Sequence, residues 1–133
     1  VYRLWLDTPG MGLNDVDDTR DGIARYLKRN PDTCFVAEKD RSIIGVILAG
    51  HDGRRGYIHH MAVAGPEQRQ GIGKQLLARA MEALRNENIH KAALVVFENN
   101  RKGNAFWEKQ GFGARADLVY RNKAISNIKR IDT

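Results

Sequence analysis

Gln68-Arg69-Gln70-Gly71-Ile72-Gly73-Lys74 is the stretch on which the reading of this chain turns. Just before it, Gly56-Tyr57-Ile58-His59-His60-Met61-Ala62-Val63 predicts a strand that Gly65-Pro66 interrupts. Just after it, Ile72, Leu76, Leu77, Ala80, Met81 and Leu84 form one apolar stripe at helical spacing, predicting a helix from Ile72 to about Asn88. A strand that enters a helix through two glycines leaves the first backbone N–H groups of the helix without internal acceptors. Those donors, with the positive end of the helix dipole, make an anion site, and Arg69 and Lys74 add full charges on either side. Gly71 and Gly73 allow a bulky phosphate to reach the backbone with no Cβ in the way. The third glycine of the dinucleotide fingerprint is missing, and so is the GxxxxGK[ST] phosphate loop. What remains is a phosphate cradle of another kind.

The other elements follow from periodicity and punctuation. Residues 1–6, VYRLWL, have an amphipathic helical look, and the Pro- and Gly-rich run to Asp17 reads as a loop. Asp18 three residues before Asp21 marks the start of a short helix that Asn30-Pro31 ends. Residues 34–40 and 42–50 read as two strands joined at Asp40-Arg41. Residues 91–97 form a continuous apolar run, expected to be a strand buried on both faces. Arg101 to Gln110 predicts a second long helix closed by Gly111, and residues 112–115 and 118–125 predict a closing strand pair before a polar tail. The chain therefore reads as one α/β domain over residues 1–133.

Composition narrows the function classes. With 133 residues, 42% of them hydrophobic, the chain can build one core. A single cysteine excludes an intrachain disulfide framework and multi-cysteine zinc sites, which fits a reducing cytoplasm. The longest unbroken apolar run is six residues, too short for a bilayer-spanning helix. Residues 54–133 carry 15 basic and 7 acidic side chains, net +8, whereas residues 1–53 carry 7 and 9, net −2. Such a basic half points to an anionic partner: nucleic acid, membrane or a phosphorylated cofactor. The cations are scattered over several elements without a basic helix of interleaved aromatics, which disfavours nucleic acid.

The order of motifs resembles the GNAT superfamily of N-acetyltransferases. The Q-x-x-G-x-G pattern at Gln68–Gly73 is similar to its acetyl-coenzyme A loop, and Asn100 followed by FWEKQGF at 106–112 is similar to its second signature. HDGRRGY at 51–57 resembles a small bacterial branch of the superfamily. The likeness runs from about Ile43 to Phe112. It implies an α/β fold with a mixed, mostly antiparallel central sheet and flanking helices, whose first strand would precede Val1. It implies acetyl-CoA as cosubstrate, a primary amine on a small molecule or peptide as acceptor, direct attack on the thioester and no metal. A homodimer is a further expectation. The backbone of Met61, Ala62 and Val63 would hold the pantetheine arm as an added strand. The amides of Gln68, Arg69, Gln70, Gly71, Ile72, Gly73 and Lys74 would hold the pyrophosphate, and Asn100 would bond near the thioester.

A lysine-like amine arrives protonated at neutral pH and needs a base. Strand alternation puts Tyr57, His59 and Met61 on one face and Ile58 and His60 on the other, so the two histidines would not share a ligand. His59 is the expected base. The superfamily usually carries Tyr where this chain has Trp107, which implies that the thiolate is protonated by water or by another tyrosine, with Tyr120 or Tyr57 available. Trp107 is expected to pack beside the cofactor arm. Asp15, Asp17, Asp18 and Asp21 border the acceptor side, where they would cap a helix or attract a cationic acceptor. Cys34 reads as a small buried hydrophobe. The alternatives are an acyl-CoA-binding module without catalysis and, less favoured, a basic nucleic-acid-binding domain.

Overall fold

The sheet begins at a two-residue turn. Asp40 and Arg41 adopt φ of 50° and 66°, the mirror-image turn whose twist matches the strands on either side. It joins β1 (Phe35–Lys39) to β2 (Ser42–His51), antiparallel from Lys39↔Ser42 to Phe35↔Ile47. β3 (Gly56–Val63) runs antiparallel to β2, and β4 (Ala92–Ala93) lies parallel to the start of β3, giving the order β1-β2-β3-β4. The helices are α1 (Tyr2–Leu6), α2 (Arg20–Arg29), α3 (Ile72–Asn86) and α4 (Arg101–Lys109). This computed structural model describes residues 1–131.

Alternation along β2 sends its side chains to two cores. Ile47 and Ala49 pack with Ile58 and with Leu76, Leu77 and Ala80 of α3. Val46 and Leu48 pack on the opposite face with Trp5, Leu13, Ile23 and Ala62. Each such fully buried aliphatic side chain contributes about 1.5–3 kcal/mol. α3 lies close to the sheet at Gly45, where a Cβ would stand 3.1 Å from both Ile72 Cγ2 and Leu76 Cδ1.

Three expectations need correction. Residues 91–97 do not form a strand buried on both faces. Only Ala92 and Ala93 pair, Val95 and Phe97 are exposed, and Leu94 to Phe97 line an open cleft instead. Among the described residues, β3 and the chain after β4 no longer pair beyond Tyr57↔Ala93. Residues 112–115 and 118–125 form no strand pair, and Leu118, Val119, Tyr120 and Ile125 are exposed. A two-residue β4 gives them almost no edge to extend. The tail returns instead to the N-terminal loop, with an isolated bridge Asn14↔Arg130 and bonds from Asp15 N to Lys129 O (2.8 Å) and Ile131 N to Leu13 O (3.0 Å). Finally, Thr19 rather than Asp18 caps α2, its Oγ1 accepting from Gly22 N at 3.1 Å.

Candidate functional site

A cleft of about 2140 Å³ opens where β3 and β4 part. From Ile58 to Val63 the edge of β3 turned away from β2 has no strand beside it among the described residues, because β4 pairs only with Gly56 and Tyr57. That edge presents backbone donors and acceptors to the cleft, ready to pair with an extended ligand. Met61, Ala62 and Val63 all line it. The carbonyl of Val63 already accepts a bond from Gln68 Nε2 (3.0 Å), so the Gln68 side chain ties the loop to the end of the strand.

At one end of the cleft the chain enters α3 through Gly71, whose φ is +78° and which provides no side-chain cap. A Cβ built on Gly71 meets nothing within 4 Å, so the space over this turn is open. The amides of Ile72, Gly73 and Lys74 belong to the first turn and have no intrahelical acceptor. Opposite, the start of the helix packs on Met61 of β3, where a Cβ on Gly73 would make only ordinary contact with Met61 Cε at 3.4 Å. Gln68, Arg69, Gly71, Ile72, Gly73 and Lys74 line the cleft, whereas Gln70 points elsewhere and is exposed. An open, donor-rich turn flanked by Arg69 and Lys74 fits a pyrophosphate.

Asn100 stands at the start of α4. Its Oδ1 caps the helix by accepting from Gly103 N (2.9 Å), which leaves its Nδ2 as the group available for a ligand. Trp107 lies edge-on between Phe106 (5.0 Å) and Phe112 (5.3 Å) and lines the cleft. The indole is thus held by packing.

The other end of the cleft holds the histidines, and here the strand departs from simple alternation. Leu48 pairs with His60 and Ala49 with Ile58, leaving His59 as an extra residue with no partner. This is a β-bulge, and it moves every later side chain to the opposite face. Ile58, Met61 and Val63 therefore face α3, while His60 and Ala62 face α1 and α2. The expectation that His59 and Met61 share a face, with His60 on the other, is corrected: both histidines lie on the α2 side. Sequence periodicity had no means to reveal a register change between two strands.

Their employments differ completely. His60 Nε2 donates to Asp18 Oδ1 at 2.8 Å, and its ring meets Trp5 edge-on at 4.7 Å. Asp18 is only 4% exposed, and its Oδ2 accepts from Asn14 N at 2.8 Å. His60 and Asp18 thus clamp the 14–18 loop to β3. His59 has no such bond. Its ring stands between Tyr26 of α2 (5.1 Å) and Tyr57 (4.7 Å), presented to the cleft. Partial desolvation by the cleft walls holds its pKa below the ordinary imidazole value, assisted by His60 and opposed by Asp18 and Asp17. With its pKa held below that value, the imidazole is neutral at physiological pH and lines the cleft. Burial, and then Tyr120, push the Tyr57 phenol upward, so it stays protonated. Tyr120 also lines the cleft and is exposed.

Residues of α2 were the omission of the sequence reading. Gly22, Arg25, Tyr26 and Arg29 line the cleft at i, i+3, i+4 and i+7, a face whose periodicity was available. Cys34 donates weakly to Ala49 O (3.1 Å), and burial raises its thiol pKa, consistent with an inert residue. Among the described residues no three His, Cys, Asp or Glu side chains converge as a metal site, and no helix is long and apolar enough to cross a membrane.

Comparison with known proteins agrees with this geometry. Residues 1–112 match the acetyltransferase (GNAT) family. An acetyltransferase of Photorhabdus laumondii is 34% identical over 104 residues, covering 75% of this chain and 68% of the relative. The crystal structure of Ard1 from Thermoplasma volcanium shares the fold, with TM-score 0.69 and 24% identity over 74% of this chain and 67% of that one. A GNAT family acetyltransferase from Elizabethkingia anophelis with acetyl-CoA bound has TM-score 0.59 and 26% identity over 72% and 62% of the two chains. With a donor-rich turn at one end of the cleft and a neutral histidine at the other, the chain belongs to the GNAT family and is an acetyl-CoA-dependent acetyltransferase.

Proposed function

We propose that the chain moves the acetyl group of acetyl-CoA to a primary amine by direct attack, with His59 as the general base. The observation that supports this is the bulge at His59, which presents a neutral imidazole to the cleft beside the free edge of β3. The amides at Gly71 to Lys74 and the free edge of β3 hold the pyrophosphate and the pantetheine arm, with Arg69 and Lys74 countering the phosphate charge. Asn100 Nδ2 donates near the acyl end. Acetyl-CoA, when bound, supplies an activated thioester carbonyl.

His59 removes a proton from the incoming ammonium and frees its lone pair. The N–C bond then forms as the C–S bond breaks, the attacking nitrogen releases its second proton to solvent, and the thiolate takes a proton from Tyr57, Tyr120 or water, a donating tyrosine being reprotonated from solvent. Tyr57 stands against His59, with ring centroids 4.7 Å apart, and burial keeps its phenol protonated until the thiolate forms.

His59→Ala tests the assignment. General-base loss is expected to lower kcat by about 10²–10⁴, with KM for acetyl-CoA unchanged. In the wild type, kcat/KM for the amine should fall below about pH 6.5 as the imidazole gains its proton. An unchanged pH profile in His59→Ala would eliminate His59 as the base.

A further inference from the structure

The sheet does not fix the direction of the His59 ring. The residue is the unpaired member of the bulge and is exposed along the cleft. Its ring takes no hydrogen bond among the described residues, whereas His60 is fixed by Asp18. A base must keep one nitrogen within hydrogen-bond reach of the proton it removes, and a free rotor does not. What stands against the ring is aromatic. Tyr26 of α2 meets it edge-on at 5.1 Å and 81°, and Tyr57 lies at 4.7 Å and 47°.

Tyr57 comes from the same strand, two residues earlier, and moves with it. Tyr26 comes from another element and is itself seated. Gly50 is the cross-strand partner of Tyr57 and has no side chain, so the Tyr26 hydroxyl and the Asn30 amide occupy that space. A Cβ on Gly50 would stand 2.5 Å from both Tyr26 Oη and Asn30 Cγ. Asn30, which is buried and closes α2, accepts from His51 N at 3.1 Å, and Thr33 Oγ1 donates to Ala49 O at 2.6 Å. At the other end Thr19 caps the helix and its neighbour Asp18 holds His60. α2 is thus tied to the sheet on both sides of Tyr26. Burial, and then Cys34, push the Tyr26 phenol up, so the ring shields His59 from water without adding charge.

We propose that Tyr26 is a positioning residue for the acetyl transfer, its ring holding the His59 imidazole in the cleft. The role rests on His59 as the base and adds the group that directs it. The titratable and charged groups around His59 are Tyr26 of α2, Tyr57 and His60 of β3, and Asp17 and Asp18 of the loop before α2, with Arg25 and Arg29 on the same cleft wall. Desolvation is the largest influence on the imidazole, and Tyr26 is the wall that a substitution can remove without changing any of those charges.

The test compares Tyr26→Leu with Tyr26→Phe. It reads the His59 ring titration by NMR, the urea midpoint, and the pH profile of thiol release from acetyl-CoA with spermidine, lysine and glycinamide. Tyr26→Leu removes the ring and keeps an apolar side chain, and Tyr26→Met serves the same purpose if the leucine variant does not fold. In that variant kcat should fall by about ten- to a hundredfold, with KM for acetyl-CoA unchanged. The His59 titration, and the acid limb of the profile with it, should move up toward about pH 6.5. Tyr26→Phe keeps the ring and should restore both. A lower urea midpoint with the titration and acid limb in place would show packing alone and overturn the inference, leaving the base assignment to His59→Ala. A phenylalanine variant that behaves like the leucine one overturns it as well. A titration that moves while the acid limb stays overturns both readings. The ring titration needs no acceptor, so it decides the inference even where none of the three amines is turned over.

Discussion

The two ends of the cleft are built from different materials. The phosphate end is made of backbone: an αL glycine, the first amides of α3 and the free edge of β3. The acceptor end is made of side chains supplied by three separate segments: α2, the 14–18 loop and the bulged middle of β3. A backbone site binds what every member of a family must bind, because amide donors do not change with side-chain identity. A side-chain site can be altered residue by residue, and there selectivity resides. The ends should consequently fail independently when each is damaged.

The largest effect on stability is expected from Asp18→Ala. It removes the acceptor of both His60 Nε2 and Asn14 N in a nearly buried place. Leaving buried groups unpaired costs about 1–3 kcal/mol each, so the urea midpoint should fall clearly. The 14–18 loop should loosen from β3, raising KM for the amine while KM for acetyl-CoA stays within twofold. Asp18→Asn keeps an acceptor oxygen and should lose less. An equal rise in both KM values would show that the two ends are not separable.

Gly71→Val is the complementary damage. The φ of +78° costs a non-glycine residue about 1–2 kcal/mol, more for a β-branched one. There is room for the side chain, since nothing lies within 4 Å, so the penalty is conformational and the added bulk projects into the space proposed for the pyrophosphate. KM for acetyl-CoA should rise about tenfold or more, with KM for the amine little changed. A variant with normal cofactor KM would refute the assignment of this turn to the pyrophosphate.

This division also explains what could be read from the sequence. The phosphate turn depends on a contiguous run, Gln68 to Lys74, and on two flanking periodicities, so local information suffices. The helix over Ile72–Asn86 and the first three strands are likewise local, and each lies within two residues of its expected limits. The orientation of His60 is a different kind of fact. It depends on how β3 slips against β2 between Leu48 and Ala49, which no spacing within Tyr57–Met61 records. The same is true of Leu118 to Tyr120. Their apolar character suggests a strand, but strand formation needs a neighbour, and β4 is two residues long. The acidic cluster was visible as charge, while its commitment to His60, Lys129 and Arg25 exists only in the folded chain.

A smaller effect concerns the titration of His59. His59 is harder to protonate in the folded chain than in the unfolded one. The unfolded chain therefore takes up this proton first as the pH falls. The associated stability is full above about pH 6.5 and declines as the pH drops from there toward the lower folded value. His59→Gln should flatten that decline, so the gap between wild-type and variant urea midpoints should change between pH 7.5 and pH 5.5. A gap constant across this range would mean that His59 experiences no desolvation in its cleft.

The smallest change is expected at Trp107→Tyr. The indole makes edge-on contacts to Phe106 and Phe112 that a phenol ring can also make, and both residues are aromatic and amphipathic. The loss of packed area should cost less than about 1.5 kcal/mol. A phenol at this position adds a proton donor beside the cleft, where the wild-type indole supplies an N–H that does not titrate in this range. If the thiolate already obtains its proton from Tyr57, Tyr120 or water, kcat should be equal or modestly higher, and pairing the change with Tyr57→Phe should reveal the new donor by rescuing any loss that Tyr57→Phe causes alone. A tenfold fall in kcat for the single variant would instead mean that the indole shapes the acyl end directly. Backbone and packing would then not be enough to describe the cofactor side, and the contrast between the two ends would have to be redrawn around Trp107.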